Sequence, residues 1–405
     1  MSHSHRLTLI SLLAVLTSAS AALSTGDAAG SFALKGATVY SGTGPPVHDA
    51  VIIVQEGKIA EVGPNLAIPD GMTIYDLSGK EVIPGLIDEH SHIGGFEDVN
   101  ESPQPIGPEN RAIDALNLSD VSWYEALKGG VTTVVTGPGS GERMGGQSVT
   151  IKTFGPDLQR RVIRESRELK MAVNARDLSH ITSIRKTFYK ALEYKEKWDR
   201  YNRGDKKGPA PDQDLALEAV VPALEGEQKV RCHIHFANDI MTFLKLKDEF
   251  PKLDLTFIHT SEAYKVAGEI ARRNVAAICL PLATRIAASE DAMNGLALLE
   301  SAGVRVSLHT DHPVLHEKLL RINAAMAIRY GVPEEAALKM VTVNPAVSSR
   351  VQDRVGSIEK GKDADLVVLN GTWYEPKSRV EMVFVDGVLA YDRKSEKDLS
   401  EENRQ

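Results

Sequence analysis

The hydrophobic rhythm of the chain changes twice along its length. Over residues 32–82, short runs of alternating apolar and polar positions are broken by Gly and Pro, which predicts strands at 37–40, 50–55, 59–62 and 72–76. Over residues 83–351, strand-like apolar runs alternate with helical ones, the pattern of parallel β/α units. The predicted strands there are 85–90, 131–136, 149–153, 169–173, 230–236, 255–259, 276–280 and 304–308. After Gly356 the short β-rich runs return at 366–369, 380–385 and 388–391, with Asp386-Gly387 offering a two-residue hairpin turn.

Eight strands separated by helices fit an α/β fold closed as a (β/α)8 TIM barrel, here over residues 83–351. The β-rich segment 32–82 is too short to bury a core alone, and segment 352–393 supplies matching strands. Both chain ends are therefore expected to pair into one small β-sandwich, followed by a polar tail at 394–405. The charged stretch 187–202, followed by residues 204–211, reads as a solvated helix and loop without chemistry.

Composition narrows the function classes. With 42% hydrophobic and 25% charged residues in 405, the chain is an ordinary globular protein. A formal charge of −8, with basic clusters interleaved with acids, leaves no field for a phosphate backbone, so nucleic acid is excluded as a partner. Residues 1–21 follow another pattern: Arg6, an apolar run from Leu7 to Leu16, then small residues containing Ala19-Ser20-Ala21. That layout is a signal peptide and implies a secreted or otherwise exported protein; an uncleaved anchor or a mitochondrial-type presequence reads the same residues. No later run is long enough to span a membrane, and no cysteine follows the cleavage site to carry a lipid. Cys232 and Cys279 each sit in an apolar run and are expected as buried free thiols. The sequons at Asn100, Asn117 and Asn370 matter only in a glycosylating host.

The histidines change the picture most. His90 and His92 follow an apolar strand, and residues two apart on an extended backbone face the same side. His-x-His alone is weak, since His3-Ser4-His5 has the same form. Position discriminates: His233, His235, His259 and the trio His309, Asp311 and His312 each follow another predicted strand, and the carboxyl ends of barrel strands surround the active site. Seven of the ten histidines after the signal segment thus converge on one face. Imidazoles with a carboxylate are the ligand set of hydrolytic Zn2+, Mn2+ or Fe2+ sites, which activate water near neutral pH.

The chain resembles the amidohydrolase superfamily, and within it the imidazolonepropionase-like branch. The matching pieces are Val82-Ile83-Pro84-Gly85-Leu86-Ile87-Asp88 running into His90-x-His92, then Gly129-Gly130-Val131-Thr132-Thr133-Val134 and His233-Ile234-His235. Ile258-His259-Thr260-Ser261-Glu262, Thr310-Asp311-His312-Pro313, Asn344-Pro345-Ala346 and Gly361-Lys362-Asp363-Ala364-Asp365-Leu366 complete them. The resemblance covers residues 32–393. It implies that His90, His92 and Asp311 hold a first divalent metal ion, Zn2+ foremost. His233 and His259 then hold a second, or His259 polarises the substrate in a one-metal variant. It also implies that Lys170, in Leu169-Lys170-Met171-Ala172, is carboxylated and bridges the metals; a surface lysine at a strand start is the other reading of that residue. Residues 173–176 depart from the Gly-containing continuation of that motif, and Gly145-Gly146-Gln147 reads equally as a pocket loop or a plain turn.

The ligand set points to hydrolysis by metal-activated water, and the resemblance implies that the bond cleaved is an amide, cyclic amide or dipeptide-like C–N bond of a small-molecule substrate. Asp311 and His259 are the catalytic candidates: Asp311 takes a proton from water and gives it to the leaving nitrogen, while His259 stabilises the oxyanion. His235, His312, Glu262 and Tyr264 are candidates for holding the substrate or for orienting the ligands. A ring-amidine deaminase on the same barrel and a non-catalytic structural relative are the rival readings. Substrate identity, metal number and any homo-oligomer are not legible in the sequence.

Overall fold

A computed structural model describes residues 30–95, 107–173, 179–205, 208–281 and 290–395, without the side chains of 165–167 and 290–293. The signal segment, the Asn100 sequon, residues 174–176 and most of the polar tail lie outside the described residues.

Five strands come first: β1 (Phe32–Val39), β2 (Val47–Gln55), β3 (Lys58–Pro64), β4 (Thr73–Asp76) and β5 (Glu81–Pro84). Eight follow: β6 (Leu86–Ser91), β7 (Val131–Thr136), β8 (Met144–Lys152), β9 (Val162–Ala172), β10 (Lys229–Ile234), β11 (Asp254–His259), β12 (Ala276–Cys279) and β13 (Val306–Leu308). The last three are β14 (Leu366–Leu369), β15 (Val380–Val385) and β16 (Val388–Asp392).

Both chain ends share one sheet, ordered β16-β15-β14-β5-β1-β2-β3, with β4 also on β1. The junction is β5, antiparallel to β14 and parallel to β1. Phe32 on β1 stacks on Phe384 of β15 with centroids 4.7 Å apart. Three strand steps of about 4.8 Å each would hold these rings far apart in a flat sheet, so the sheet curls over its own apolar face. The Asp386-Gly387 turn forms as its sequence dictates, with φ of 49° and 72°, both left-handed. A Cβ on Gly387 would lie 2.7 Å from the Gly57 Cα. We expect Gly387→Ala to destabilise the protein by about 1–3 kcal/mol through backbone strain and this contact, read as a lowered melting temperature.

The strands β6 to β13 form the second sheet in chain order, giving an α/β, barrel-like body. Its first and last strands meet beyond their carboxyl ends, where Asp311 N–H donates to the His90 carbonyl at 3.1 Å and His92 N–H to the His312 carbonyl at 3.2 Å. One feature departs from an all-parallel series: β8 runs antiparallel to both β7 and β9. Only residues 137–143 join β7 to β8, fewer than the dozen or more that a parallel crossover needs.

Along β10 the two-residue period separates two environments. Val230, Cys232 and Ile234 join the apolar core, while Arg231 and His233 occupy the opposite face. Arg231 is fully buried and forms an ion pair with Glu89 at 3.2 Å and another with Glu168. Helix Ser179–Asn202 is longer than the pattern predicts, because Ile184, Phe188 and Ala191 bury one face of it. Cys232 and Cys279 are buried free thiols, and burial pushes the Cys279 thiol up to about 11. Among the described residues no helix is long and apolar enough to cross a membrane.

Candidate active site

The end of β6 supplies two imidazoles, and the loop after β13 supplies the carboxylate between them. Asp311 Oδ1 lies 3.2 Å from His90 Nε2 and 3.3 Å from His92 Nε2; its Oδ2 lies 3.9 Å from His259 Nδ1. His92 Nδ1 sits 2.7 Å from the Gly137 carbonyl, which can only accept, so that nitrogen carries the proton. In the neutral ring Nε2 then turns a lone pair towards a carboxylate oxygen. Two acceptors facing each other at this distance repel unless a cation lies between them, and this donor set suits one. His259, Thr260 and Asp311 have φ of 72°, 46° and 57°. Left-handed backbone is costly for such residues, and here it falls where the chain leaves β11 and where it presents Asp311.

The remaining predicted ligands face the same centre. Lys170, on β9, is fully buried with Nζ 3.5 Å from His90 Nε2, and burial pushes its amine down to about 8 against the pull of Asp311. The His233 ring lies 4.4 Å from that of His259 and 4.7 Å from that of His235. His235 stacks on His259 at 5.1 Å, and its Nδ1 meets Ser261 Oγ at 2.9 Å. Burial holds His90, His233 and His259 well below the ordinary imidazole value, with the Lys170 charge adding to it at His90 and His233. Neutral imidazoles are the ligating form. For Asp311 burial acts the other way, but the adjacent histidines, His90 and His92 foremost, outweigh it and keep the carboxyl well below the usual range. Two sets of ligand atoms, His90-His92-Asp311 and His259-His309-Asp311, each lie within 4.8 Å of one another.

The Amidohydrolase family model matches residues 220–390. The solved structure of an amidohydrolase from Thermotoga maritima MSB8 superposes with a TM-score of 0.83 at 35% identity, covering 89% of this chain and 100% of that one. The chain belongs to the amidohydrolase family. It is 27% identical over 390 residues to the amidohydrolase tasK of Hapsidospora irregularis, covering 84% of this chain but 40% of that longer relative. It is 25% identical over 390 residues to an imidazolonepropionase of Thermoplasma volcanium, covering 86% and 92% respectively.

Three further groups of this amidohydrolase lie at the site without a role assigned from the sequence, although His309 was counted among the converging histidines. His309, whose ring centroid is 5.3 Å from that of His90 and 5.0 Å from that of His259, is fully buried and pushed down to about 4 by burial. Its position two residues before Asp311 was the available signal. Asp88, fully buried and pushed up to about 8 by burial, accepts from the backbone N–H groups of His90 and Thr310 and from the Thr310 hydroxyl, tying the end of β6 to the loop after β13. Glu317 is buried and accepts from Ser91 Oγ at 2.9 Å.

Other predicted residues are engaged elsewhere. Glu262 accepts from the Ala237 N–H at 3.0 Å and pairs with Lys265 at 2.7 Å. Tyr264 packs against Gly295. The Nδ1 of His312 faces Glu317 at 2.8 Å; burial would lower its affinity for a proton, but the carboxylate raises it overall. Gly145-Gly146-Gln147 lies inside β8 rather than in a pocket loop, with Gln147 bonded to the backbone of Asn110 and Pro108.

Proposed function

We propose that this amidohydrolase hydrolyses a C–N bond of a small molecule, an amide, cyclic amide or dipeptide-like bond, with water activated by one or two divalent cations, zinc foremost. The observation that carries the reading is the Asp311 carboxylate set between two imidazole nitrogens at 3.2 and 3.3 Å, one of them with its other nitrogen committed to a carbonyl. His90, His92 and Asp311 would hold the first cation, and His233, His259 and a carboxylated Lys170 the second. When bound, the cation supplies Lewis-acid polarisation of the scissile carbonyl and makes water a nucleophile near neutral pH.

The side chains do the rest. Asp311 accepts the proton of the attacking water and returns it to the leaving nitrogen. His259, neutral through burial, polarises the carbonyl where only one cation is held. The Lys170 amine, brought down to about 8, has the neutral fraction that reaction with carbon dioxide requires. His235, held by Ser261 beside His259, orients the substrate. For the fold, we read β6–β13 as the (β/α)8 plan with β8 reversed, and the curled terminal sheet as the sandwich. Export remains our reading of residues 1–21, tested by sequencing the mature N-terminus, expected near Ala22.

The test is metal analysis of the purified protein followed by a screen of N-acyl amino acids, dipeptides and cyclic amides. Bound zinc with release of a free carboxylate and amine supports the reading. Ammonia release from purines or pyrimidines with none of these substrates cleaved would replace it by a deaminase, and metal-free protein inert to all of them by a non-catalytic relative.

A further inference from the structure

Beside the histidine centre, the loop after β13 carries a second convergent group. His312, His316 and Glu317 place one ligand atom each within 4.8 Å of one another. Glu317 is fully buried; its Oε1 accepts from Ser91 Oγ at 2.9 Å, whereas its Oε2 has no hydrogen-bond partner. His312 Nδ1 lies 2.8 Å from that Oε2 and His316 Nδ1 lies 3.7 Å from it, yet neither contact has hydrogen-bond geometry. Three polar atoms therefore approach one buried point without satisfying each other. A buried carboxylate oxygen that two imidazoles approach without a hydrogen bond of good geometry is costly, and an ion bound between them resolves it.

We propose that His312, His316 and Glu317 form a separate zinc-binding site at the edge of the catalytic centre. Two imidazole nitrogens and one carboxylate oxygen are a zinc ligand set, with the fourth position left to water. Donor atoms on a tetrahedral ion with bonds of about 2.0–2.2 Å lie about 3.3–3.6 Å apart, and the two observed separations bracket that spacing. The His312 and His316 side chains keep 17% and 32% of their surface exposed, which gives an ion a way in, while Glu317 forms the closed floor. Ser91 holds the remaining Glu317 oxygen as an orienting partner of the kind that ligating carboxylates have. The site is tied to the catalytic one, because His92 N–H donates to the His312 carbonyl and Ser91 lies between His90 and His92. An ion there clamps the loop after β13 onto the end of β6. The proposal stands whether or not the catalytic reading above does.

The experiment strips the full-length protein with a chelator, restores zinc, removes the excess by gel filtration and counts bound zinc by atomic emission. The His316→Ala variant is expected to retain about one zinc per chain less than the unaltered protein. Equal zinc in the two proteins overturns the proposal. Zinc-edge anomalous diffraction from crystals of the unaltered protein is the second measurement and does not depend on the variant folding. A peak enclosed by His312, His316 and Glu317 supports the site. A peak at Asp311, His90 and His92 with none at the three residues overturns it and leaves the proposed catalytic centre intact.

Discussion

Asp311→Asn is expected to keep its fold and its bound metal and to lose about 100-fold or more in turnover, the range that general acid/base catalysis supplies. The substitution preserves shape and leaves a carbonyl oxygen where His90 and His92 converge, at 3.2 and 3.3 Å in the unaltered chain. It removes the proton acceptor. In the unaltered chain that carboxyl is held well below the usual carboxylate range, because the adjacent histidines outweigh the effect of burial. Turnover should be measured on whichever substrate the screen identifies, with metal content and unfolding midpoint measured on the same preparation. A metal-loaded variant that turns over at the original rate would overturn Asp311 as the proton shuttle.

Arg231→Met should destabilise the protein by about 3–5 kcal/mol, the usual cost of removing one partner from a buried ion pair. Arg231 is fully buried and answers two buried carboxylates, Glu89 and Glu168, besides donating to the Glu89 carbonyl and to Ser349 Oγ, each at 2.9 Å. Burial already raises the pKa of Glu89, with the Arg231 charge opposing it. Without the guanidinium both carboxylates lie uncompensated. Such a loss is a large part of a typical stability of about 5–15 kcal/mol, so a much lower unfolding midpoint and poor expression are expected. Adding Glu168→Met should recover part of the loss, since one stranded charge is then removed and apolar volume replaces it. An Arg231→Met protein that unfolds at the original denaturant concentration would show that this network contributes nothing.

The two outcomes separate different levels of the molecule. Asp311 stands at the carboxyl end of the strand series, and its replacement tests the proposed chemistry. Arg231 lies one two-residue period below His233 on the same face of β10 and acts on the scaffold that holds His233 and Lys170 in place. The same strand face thus changes over one step from structural charge pairing to a residue that the proposed function makes a metal ligand.

The sequence by itself determined the period-two strands, their order and the identity of the residues that converge. Apolar runs ending in His90-x-His92, His233-x-His235, His259 and Asp311 leave little freedom: a buried strand must expose its last residues where its backbone leaves the sheet. Asp386-Gly387 likewise determined its own turn, because few pairs tolerate two consecutive left-handed conformations. Only the tertiary structure decided the direction of β8, since apolar alternation is the same whichever way a strand runs. It also decided between the two readings of Lys170 that the sequence left open, burying it beside His90 rather than exposing it at the surface. The role of Glu317 was also beyond the sequence. A carboxylate becomes a ligand or a floor only when residues 226 positions apart, here Ser91 and Glu317, are folded against each other, and no local pattern records that distance.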